Sequence, residues 1–163
     1  MSNVIHRHPV TAISLFLCLL ILLGSTVFSL RRVVGYSMVP TYQPGSILVC
    51  TKGIHGNDLT PGMCVVASAV SEGEELVVIK RIVGCPGDTI EFRDGLLYRN
   101  GEPVDEDKGF QNAEAPGIAA TPVALGDREY FLLGDNRNDS VDSRIFGPVP
   151  LEQIQCVVLF NIF

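Results

Sequence analysis

Residues 76–98 read LVVIKRIVGCPGDTIEFRDGLLY, and this stretch decides the fold class. Short runs of β-branched and apolar residues alternate in it with turn-forming residues. Its Asp94-Gly95 pair is a two-residue sequence typical of a tight hairpin between antiparallel strands. The stretch therefore predicts three strands, at 76–83, 89–92 and 96–98.

The same alternation of apolar runs and Gly- or Pro-containing turns continues on both sides of this stretch. It predicts further strands at 46–50, 63–67, 130–133 and 156–160. No segment after residue 31 keeps a helical period over three turns. Residues 31–163 are therefore predicted to form an all-β body, barrel-like or a sandwich of antiparallel sheets. Within it, the polar and Ala/Pro/Gly-rich segment 105–126 is predicted to be a surface loop.

The N-terminal segment differs from this body in hydropathy. Residues 10–30 carry no charge, and at about 1.5 Å per residue such a helix crosses a hydrocarbon layer of about 30 Å. A cleaved secretory signal would have a shorter apolar core and a small-residue exit, whereas this one ends in bulky Phe28 and Leu30. We predict a short tail at 1–9 and a retained transmembrane helix at 10–30.

Charge is also divided along the chain. All 18 acidic residues lie in residues 33–163, against nine Lys or Arg, which gives this part a net charge of −9. An acidic body without a basic stripe argues against nucleic-acid binding, because phosphate contacts need Lys and Arg. Arg7 on one side of the apolar segment and Arg31 and Arg32 on the other leave the membrane orientation open or slightly favour a cytoplasmic body.

The cysteines and histidines give no pattern of metal ligands. Outside the apolar segment, His55 stands alone and no CxxC motif is present, so no metal site is predicted. Buried free thiols are the favoured interpretation of the four body cysteines. If the body is exported, three disulfide pairings remain open. These cysteines are Cys50, Cys64, Cys85 and Cys156.

A candidate nucleophile follows the apolar segment at once. Residues 35–41 read GYSMVPT and place Ser37 between a flexible glycine and a proline that fixes the turn. On this segment alone, a structural serine at a strand-to-turn junction is the favoured interpretation. A Ser-His-Asp triad is poorly supported, because His55 has no Asp or Ser pattern around it.

A candidate base lies inside the first quoted strand. Strand alternation places Lys80 on one face with Val78 and Ile82, and Arg81 on the other face. A lysine among β-branched residues either extends to water or is desolvated. Desolvation would lower its pKa below the usual value of about 10.4 and leave a neutral amine, which is a competent general base.

A third polar segment, residues 134–147, reads GDNRNDSVDSRIFG between two apolar runs. A plain surface loop would explain its polarity. The same residues folded inward would supply hydrogen-bonded support for a site.

Together these three segments resemble the type I signal peptidases, which are membrane-bound Ser-Lys proteases. The matching pieces are 37–41, 80–88 and 134–147 with its Ser-x-Asp-Ser-Arg core. They occur in the family's order with an apolar segment just upstream, and the resemblance covers roughly residues 10–163. The fold that it implies is a signal-peptidase-like β-body behind one N-terminal membrane helix.

The resemblance implies an acyl-enzyme mechanism without metal or cofactor. Ser37 would be the nucleophile and Lys80 the general base. Some family members carry a serine two residues before the nucleophile, whereas this chain has Gly35. We therefore expect the oxyanion to be bound by the backbone N–H of Ser37.

The resemblance also implies residues that support the dyad. Ser140 would orient the lysine amine. Two ion pairs would hold the surrounding loop, and they are Asp142 with Arg144 and Arg81 with Asp135.

The implied substrates are signal peptides of exported pre-proteins, with small residues at the first and third positions before the cut. We predict Val34, Met38 and Ile79 as pocket walls, while Gly35 permits close approach of the substrate backbone. The expected partners are these peptides and membrane lipid, and the chain is expected to be a monomer. Such a function puts the body on the extracytoplasmic side of a bacterial cytoplasmic membrane.

Three alternatives compete with this interpretation. A LexA-like self-cleaving Ser-Lys protein also has a β-rich body, but the apolar anchor and residues 134–147 weigh against it. A mitochondrial inner-membrane peptidase has a similarly short chain and the same Ser-x-Asp-Ser-Arg motif. An inactive, membrane-anchored β-domain that binds extended peptides is disfavoured because all the implied catalytic positions are filled.

Overall fold

The structure is a computed structural model that describes residues 13–18, 26–54, 56–105, 109–110 and 112–162. In these residues, β-strands predominate over short helical turns. The strands are β1 Phe28–Arg32, β2 Ile47–Thr51, β3 Cys64–Ser71, β4 Glu74–Gly84, β5 Thr89–Arg93, β6 Leu96–Arg99, β7 Glu102–Pro103, β8 Val123–Ala124, β9 Glu129–Leu133, β10 Val149–Pro150 and β11 Ile154–Asn161. The helical turns are Gly56–Asp58, Gly117–Ala120, Ser143–Phe146 and Leu151–Gln153.

The strands form two antiparallel sheets. The larger has the order β1-β2-β11-β3-β4-β9-β10, and the smaller has the order β7-β6-β5-β8. The β3–β4 ladder runs from the Cys64–Arg81 pair to the Ser71–Glu74 pair and forms the middle of the larger sheet. The predicted antiparallel β class is confirmed.

The predicted hairpin also forms. Asp94 and Gly95 have φ of 51° and 79°, the positive values that a type I′ turn requires at both central positions. The turn sets the β5–β6 register, in which Arg93 pairs with Leu96. Every strand predicted from the sequence is present, and the structure adds four that were not predicted, β1, β7, β8 and β10.

The segment predicted to be a surface loop, 105–126, is in part packed against the smaller sheet. Ala113, Ala119 and Leu125 are buried in the cluster that contains Ile90 of β5, and β8 pairs with β5. These residues are therefore packed into the core and not solvated. Alanine and glycine made the segment look like a linker, but small side chains are also what close packing against a sheet needs.

The predicted N-terminal helix is only partly covered. Residues 13–18 are helical, and within the described part of the chain no helix is long and apolar enough to cross a membrane. Residues 1–9, 10–12 and 19–25 lie outside the described residues. The end of the predicted span, 28–30, lies in β1 and pairs with β2.

Candidate functional site

Ser37 and Lys80 meet in the structure, although 43 positions separate them in the chain. Lys80 Nζ lies 2.7 Å from Ser37 Oγ. Ser37 lies in the turn that follows β1, and Lys80 lies in β4 opposite Val65 of β3. A serine hydroxyl at hydrogen-bond distance from an amine is the geometry that proton transfer between them requires.

The environment of Lys80 favours the neutral amine. Its side chain is 3% exposed, and burial lowers its pKa from 10.5 to about 8, because a charged amine is poorly solvated there. The carboxylates of Asp142 and Asp135 oppose this shift, and the Arg144 guanidinium adds to it. A substantial neutral fraction is therefore present near pH 8.

Gly134 lets the third polar segment fold inward against Ser37. A methyl group on Gly134 would lie 2.6 Å from the carbonyl oxygen of Ser37 and would collide with Ser140 Oγ and Cβ. Residue 134 must therefore be a glycine, because any side chain there would collide with these atoms. Of the two interpretations of residues 134–147, the structure therefore favours inward folding over a plain surface loop.

The Asp142–Arg144 ion pair closes this loop on itself. Arg144 Nη2 lies 2.8 Å from Asp142 Oδ2, and both side chains are buried. Asp142 also accepts hydrogen bonds from the backbone N–H groups of Gly134 and Arg144. Arg144 donates to the carbonyl oxygens of Ala115 and Arg137. The buried charges thus have several hydrogen-bond partners, as buried ion pairs require.

The Arg81–Asp135 ion pair joins the lysine strand to the same loop. Arg81 Nε and Nη2 donate to the two Asp135 oxygens at 2.8 and 2.6 Å. The Thr41 hydroxyl donates to Asp135 as well, so the segment after Ser37 is bound to the same carboxylate. The Arg81 guanidinium also donates to the carbonyl oxygen of Gly62. This network holds the nucleophile turn, the lysine strand and the loop together.

Asn136 makes a further contact with the nucleophile turn that the sequence did not predict. Its backbone N–H donates to the Ser37 carbonyl oxygen at 3.0 Å. Its side-chain Nδ2 donates to the Tyr36 carbonyl oxygen at 3.3 Å. Asn136 therefore holds the carbonyl groups before and after the Ser37 N–H.

Ser140 lies beside this arrangement without a hydrogen bond. Its Oγ is buried and has no partner among the described residues. It lies against Gly134, close to the Ser37 backbone. The predicted hydrogen bond from Ser140 to the Lys80 amine is not formed in this structure.

Ser37 and Lys80 line a cleft of about 530 Å³. Of the predicted wall residues, Val34, Met38 and Ile79 line it, whereas Gly35 does not. The cleft is also lined by Leu30, Arg31, Arg32, Val33, Val77 and Val78, and by Val66 and Val141, which the sequence did not predict. These come from distant parts of the chain, and no local sequence signal marks them.

The chain was also compared with known proteins. Residues 6–163 match the family model described as signal peptidase, peptidase S26. "Probable signal peptidase I-1" of Synechocystis sp. is 33% identical over 162 residues, which cover 95% of this chain and 80% of that protein. "Signal peptidase I" of Bacillus licheniformis is 36% identical, over 83% of this chain and 76% of that protein. A solved signal peptidase I from Enterococcus faecalis V583 is 29% identical, covers 63% of this chain and 97% of that one, and has a TM-score of 0.46.

The family model spans all three polar segments, and the relatives match over most of their own length. From this match we conclude that the chain belongs to the signal peptidase family, peptidase S26.

Proposed function

We propose that this chain is a type I signal peptidase, a serine endopeptidase that removes N-terminal signal peptides from exported pre-proteins. The observation that carries the proposal is the 2.7 Å contact between Lys80 Nζ and Ser37 Oγ in an open cleft. Lys80 is buried there and has a lowered pKa, so the general base that a serine nucleophile needs is supplied without a histidine.

In the proposed reaction, the neutral Lys80 amine takes the hydroxyl proton as Ser37 Oγ attacks the scissile carbonyl carbon. The protonated amine then gives this proton to the departing amine of the mature protein, and the C–N bond breaks. Water, deprotonated by the same lysine, attacks the Ser37 ester and releases the signal peptide. The serine hydroxyl and the neutral amine are both restored.

The developing oxyanion is proposed to be bound by the Ser37 backbone N–H. The backbone bonds of this turn include Val39 N–H to the Tyr36 oxygen and Asn136 N–H to the Ser37 oxygen, and neither uses this N–H. Gly35 precedes it and has a φ of 85°, a value that glycine adopts without strain.

The proposed supporting residues act through the dyad. Arg81 with Asp135, and Asp142 with Arg144, keep the lysine strand and the 134–147 loop in fixed positions around Lys80. We propose that Ser140 Oγ orients the amine once Ser37 has been acylated, because its buried hydroxyl has no other partner among the described residues.

The substrate is proposed to bind as an added strand inside the cleft. β1 is an edge strand of the larger sheet, and β9 pairs with β4 only from Arg81 onward. Residues 74–80 of β4 therefore face the cleft with an edge that no described strand covers. A peptide extended between β1 and β4 would point alternate side chains at the same wall. Val34, Met38 and Ile79 would limit the size of the residues at the first and third positions before the cut.

We further propose that the chain is a single-pass protein of the bacterial cytoplasmic membrane, anchored by the apolar segment that precedes β1, residues 10–27. The body would lie on the extracytoplasmic side, where signal-peptide cleavage sites emerge. A reporter fused after Phe163 tests this topology, and a cytoplasmic reporter would contradict it.

The activity is tested by purifying the full chain in detergent and following cleavage of a pre-protein with an Ala-x-Ala site. We expect Ser37→Ala and Lys80→Ala to lose at least a thousandfold in kcat/KM, since removing either member of such a dyad costs on the order of 10³–10⁶. Ser71→Ala and Lys52→Ala are matched controls that change the same residue types away from the cleft. Equal cleavage by all five proteins would overturn the proposal.

A further inference from the structure

Arg31 is a cationic side chain at a cleft whose other walls are mainly apolar. It lies in β1 and is half buried, and it lines the cleft together with Val33, Val66 and Val77. Its Nη2 donates to Gln155 Oε1 at 3.1 Å. Gln155 Nε2 in turn donates to Ser68 Oγ at 2.9 Å. A chain of side-chain hydrogen bonds therefore positions the guanidinium from β1 through β11 to β3.

The rest of this guanidinium has no acceptor. Nε is buried without a partner, and apart from the Gln155 bond, the Arg31 side chain makes no hydrogen bond to the described residues. The described residues that line the cleft include Arg31, Arg32 and Lys80 but no Asp or Glu. In a body with a net charge of −9, an acid-free cleft that holds a guanidinium with unpaired N–H groups favours an anionic ligand.

We propose that Arg31 forms a subsite for an acidic substrate side chain, so that pre-proteins with Asp or Glu at the fifth residue before the cut are preferred. The inference rests on the proposed function, because it takes the cleft as the binding site for the signal-peptide end. It goes beyond that function in naming a charged recognition element upstream of the small residues.

The register of the sheet indicates the fifth position. Ser68, the far end of the hydrogen-bonded chain, pairs with Val77 of β4, and Lys80 lies three residues further along that strand. At about 3.3 Å per residue, Val77 lies roughly 10 Å from Lys80 along β4. Arg31, which is joined to Ser68 through Gln155, would therefore lie beside the fourth or fifth residue before the cut. In an extended peptide the first, third and fifth residues before the cut point to the same face. The first and third are the small residues, and the fifth is the next to face Arg31.

A carboxylate is the chemistry that fits this donor. A guanidinium held on one side by Gln155 presents its remaining N–H groups to two oxygens, and charge-assisted bonds of this kind are about twice as strong as neutral ones. The apolar walls reduce competition from water.

The test uses pre-protein peptides with one Ala-x-Ala site and either Asp or its neutral isostere Asn at the fifth or the fourth position before the cut. For the wild type we expect kcat/KM to be about five- to tenfold higher with Asp than with Asn at the fifth position, and unchanged at the fourth. Arg31→Gln should bring the fifth-position ratio close to one. Arg31→Lys keeps the charge and should retain a ratio of at least about two.

Arg128→Gln is the matched control, because it removes the same charge from an exposed arginine that does not line the cleft. It should leave the ratio unchanged. Equal rates with Asp and Asn in the wild type, the same preference at the fourth position, or an equal loss in Arg128→Gln would overturn the subsite. If the wild type cleaves the Asn peptides but Ser37→Ala does not, the proposed function stands whatever the ratio. If the wild type cleaves none of them, both proposals fail.

Discussion

Two aspartate–arginine pairs flank the Ser37–Lys80 dyad, and they differ in what they connect. The Asp142–Arg144 pair, here called the local pair, joins residues two positions apart, and its side chains are 0% and 5% exposed. The Arg81–Asp135 pair, here called the bridging pair, joins residues 54 positions apart, and its arginine is 19% exposed. The local pair thus closes one loop on itself, whereas the bridging pair holds together two elements that are far apart in the chain.

This difference indicates separate roles. The local pair is surrounded by protein, so its loss leaves a buried charge and acts mainly on stability. The bridging pair is open to water on one side, but it links β4 to the loop beside Ser37 and acts mainly on dyad geometry. Substitutions of Arg144 and Arg81 test these separate roles. Substitutions of Gly134 and Asn136 test how the same loop contacts Ser37.

Arg144→Met should have the largest effect on stability. It leaves the Asp142 carboxylate buried without its cation, and breaking a buried pair in this way costs about 3–5 kcal/mol. Chemical denaturation would measure the loss in the free energy of unfolding. Arg128→Met is the control, because its ion pair with Glu152 is exposed on both sides. An equal loss in the two variants would show that the local pair has no special role.

Gly134→Ala should have the next largest effect. The added methyl group meets the Ser37 carbonyl oxygen and the Ser140 side chain, and overpacking of this kind costs about 1–3 kcal/mol. Activity should fall with stability, because the Ser37 backbone is displaced. Gly53→Ala, whose methyl group would meet nothing within 4 Å, is the matched control. A Gly134→Ala protein as stable and active as Gly53→Ala would contradict the close approach.

Arg81→Met should affect activity more than stability. Asp135 is as fully buried as Asp142, but it keeps its hydrogen bond from Thr41, and the lost arginine is partly solvated. We therefore expect a smaller loss than in Arg144→Met, about 2–3 kcal/mol. The kcat should fall at least tenfold, because β4 and the loop lose their connection. Measuring kcat and KM separately checks this. A variant that melts at a lower temperature but keeps the wild-type kcat at low temperature would refute the bridging role.

Asn136→Ala should have the smallest effect. The backbone hydrogen bond to Ser37 remains, and only the side-chain bond to the Tyr36 oxygen is lost, at about 0.5–1.5 kcal/mol. We expect a several-fold lower kcat with KM unchanged, since the loss concerns the peptide that carries the Ser37 N–H. Asn138→Ala is the comparison, because its side chain bonds to residues 112 and 114 instead.

The sequence predicted those parts of the fold that local patterns determine. Apolar runs separated by turn-forming residues predicted the long strands. The Asp94-Gly95 pair predicted the β5–β6 hairpin. The two-residue strands β7, β8 and β10 escaped detection because they are too short to show alternation. β1 was missed because its apolar start continues the predicted span.

The site was predictable where the residues form a recognisable motif. Ser37, Lys80 and the two ion pairs meet as the resemblance implied. Sequence alone could not show that Gln155 and Ser68 position Arg31, because that contact depends on the order of β1, β2, β11 and β3 in the sheet. Nor could it find Val66 or Val141 in the cleft, since isolated valines carry no local signal.

The most direct test of the account is the pH dependence of kcat/KM for the wild type, which reports the pKa of the essential base in the free enzyme. Burial lowers the pKa of Lys80 to about 8, and only the neutral amine accepts the Ser37 proton. The account predicts that kcat/KM rises through a midpoint near pH 8 and falls about tenfold per pH unit well below it. A flat profile between pH 6 and 9, or a midpoint above pH 10, would contradict a desolvated Lys80 as the general base.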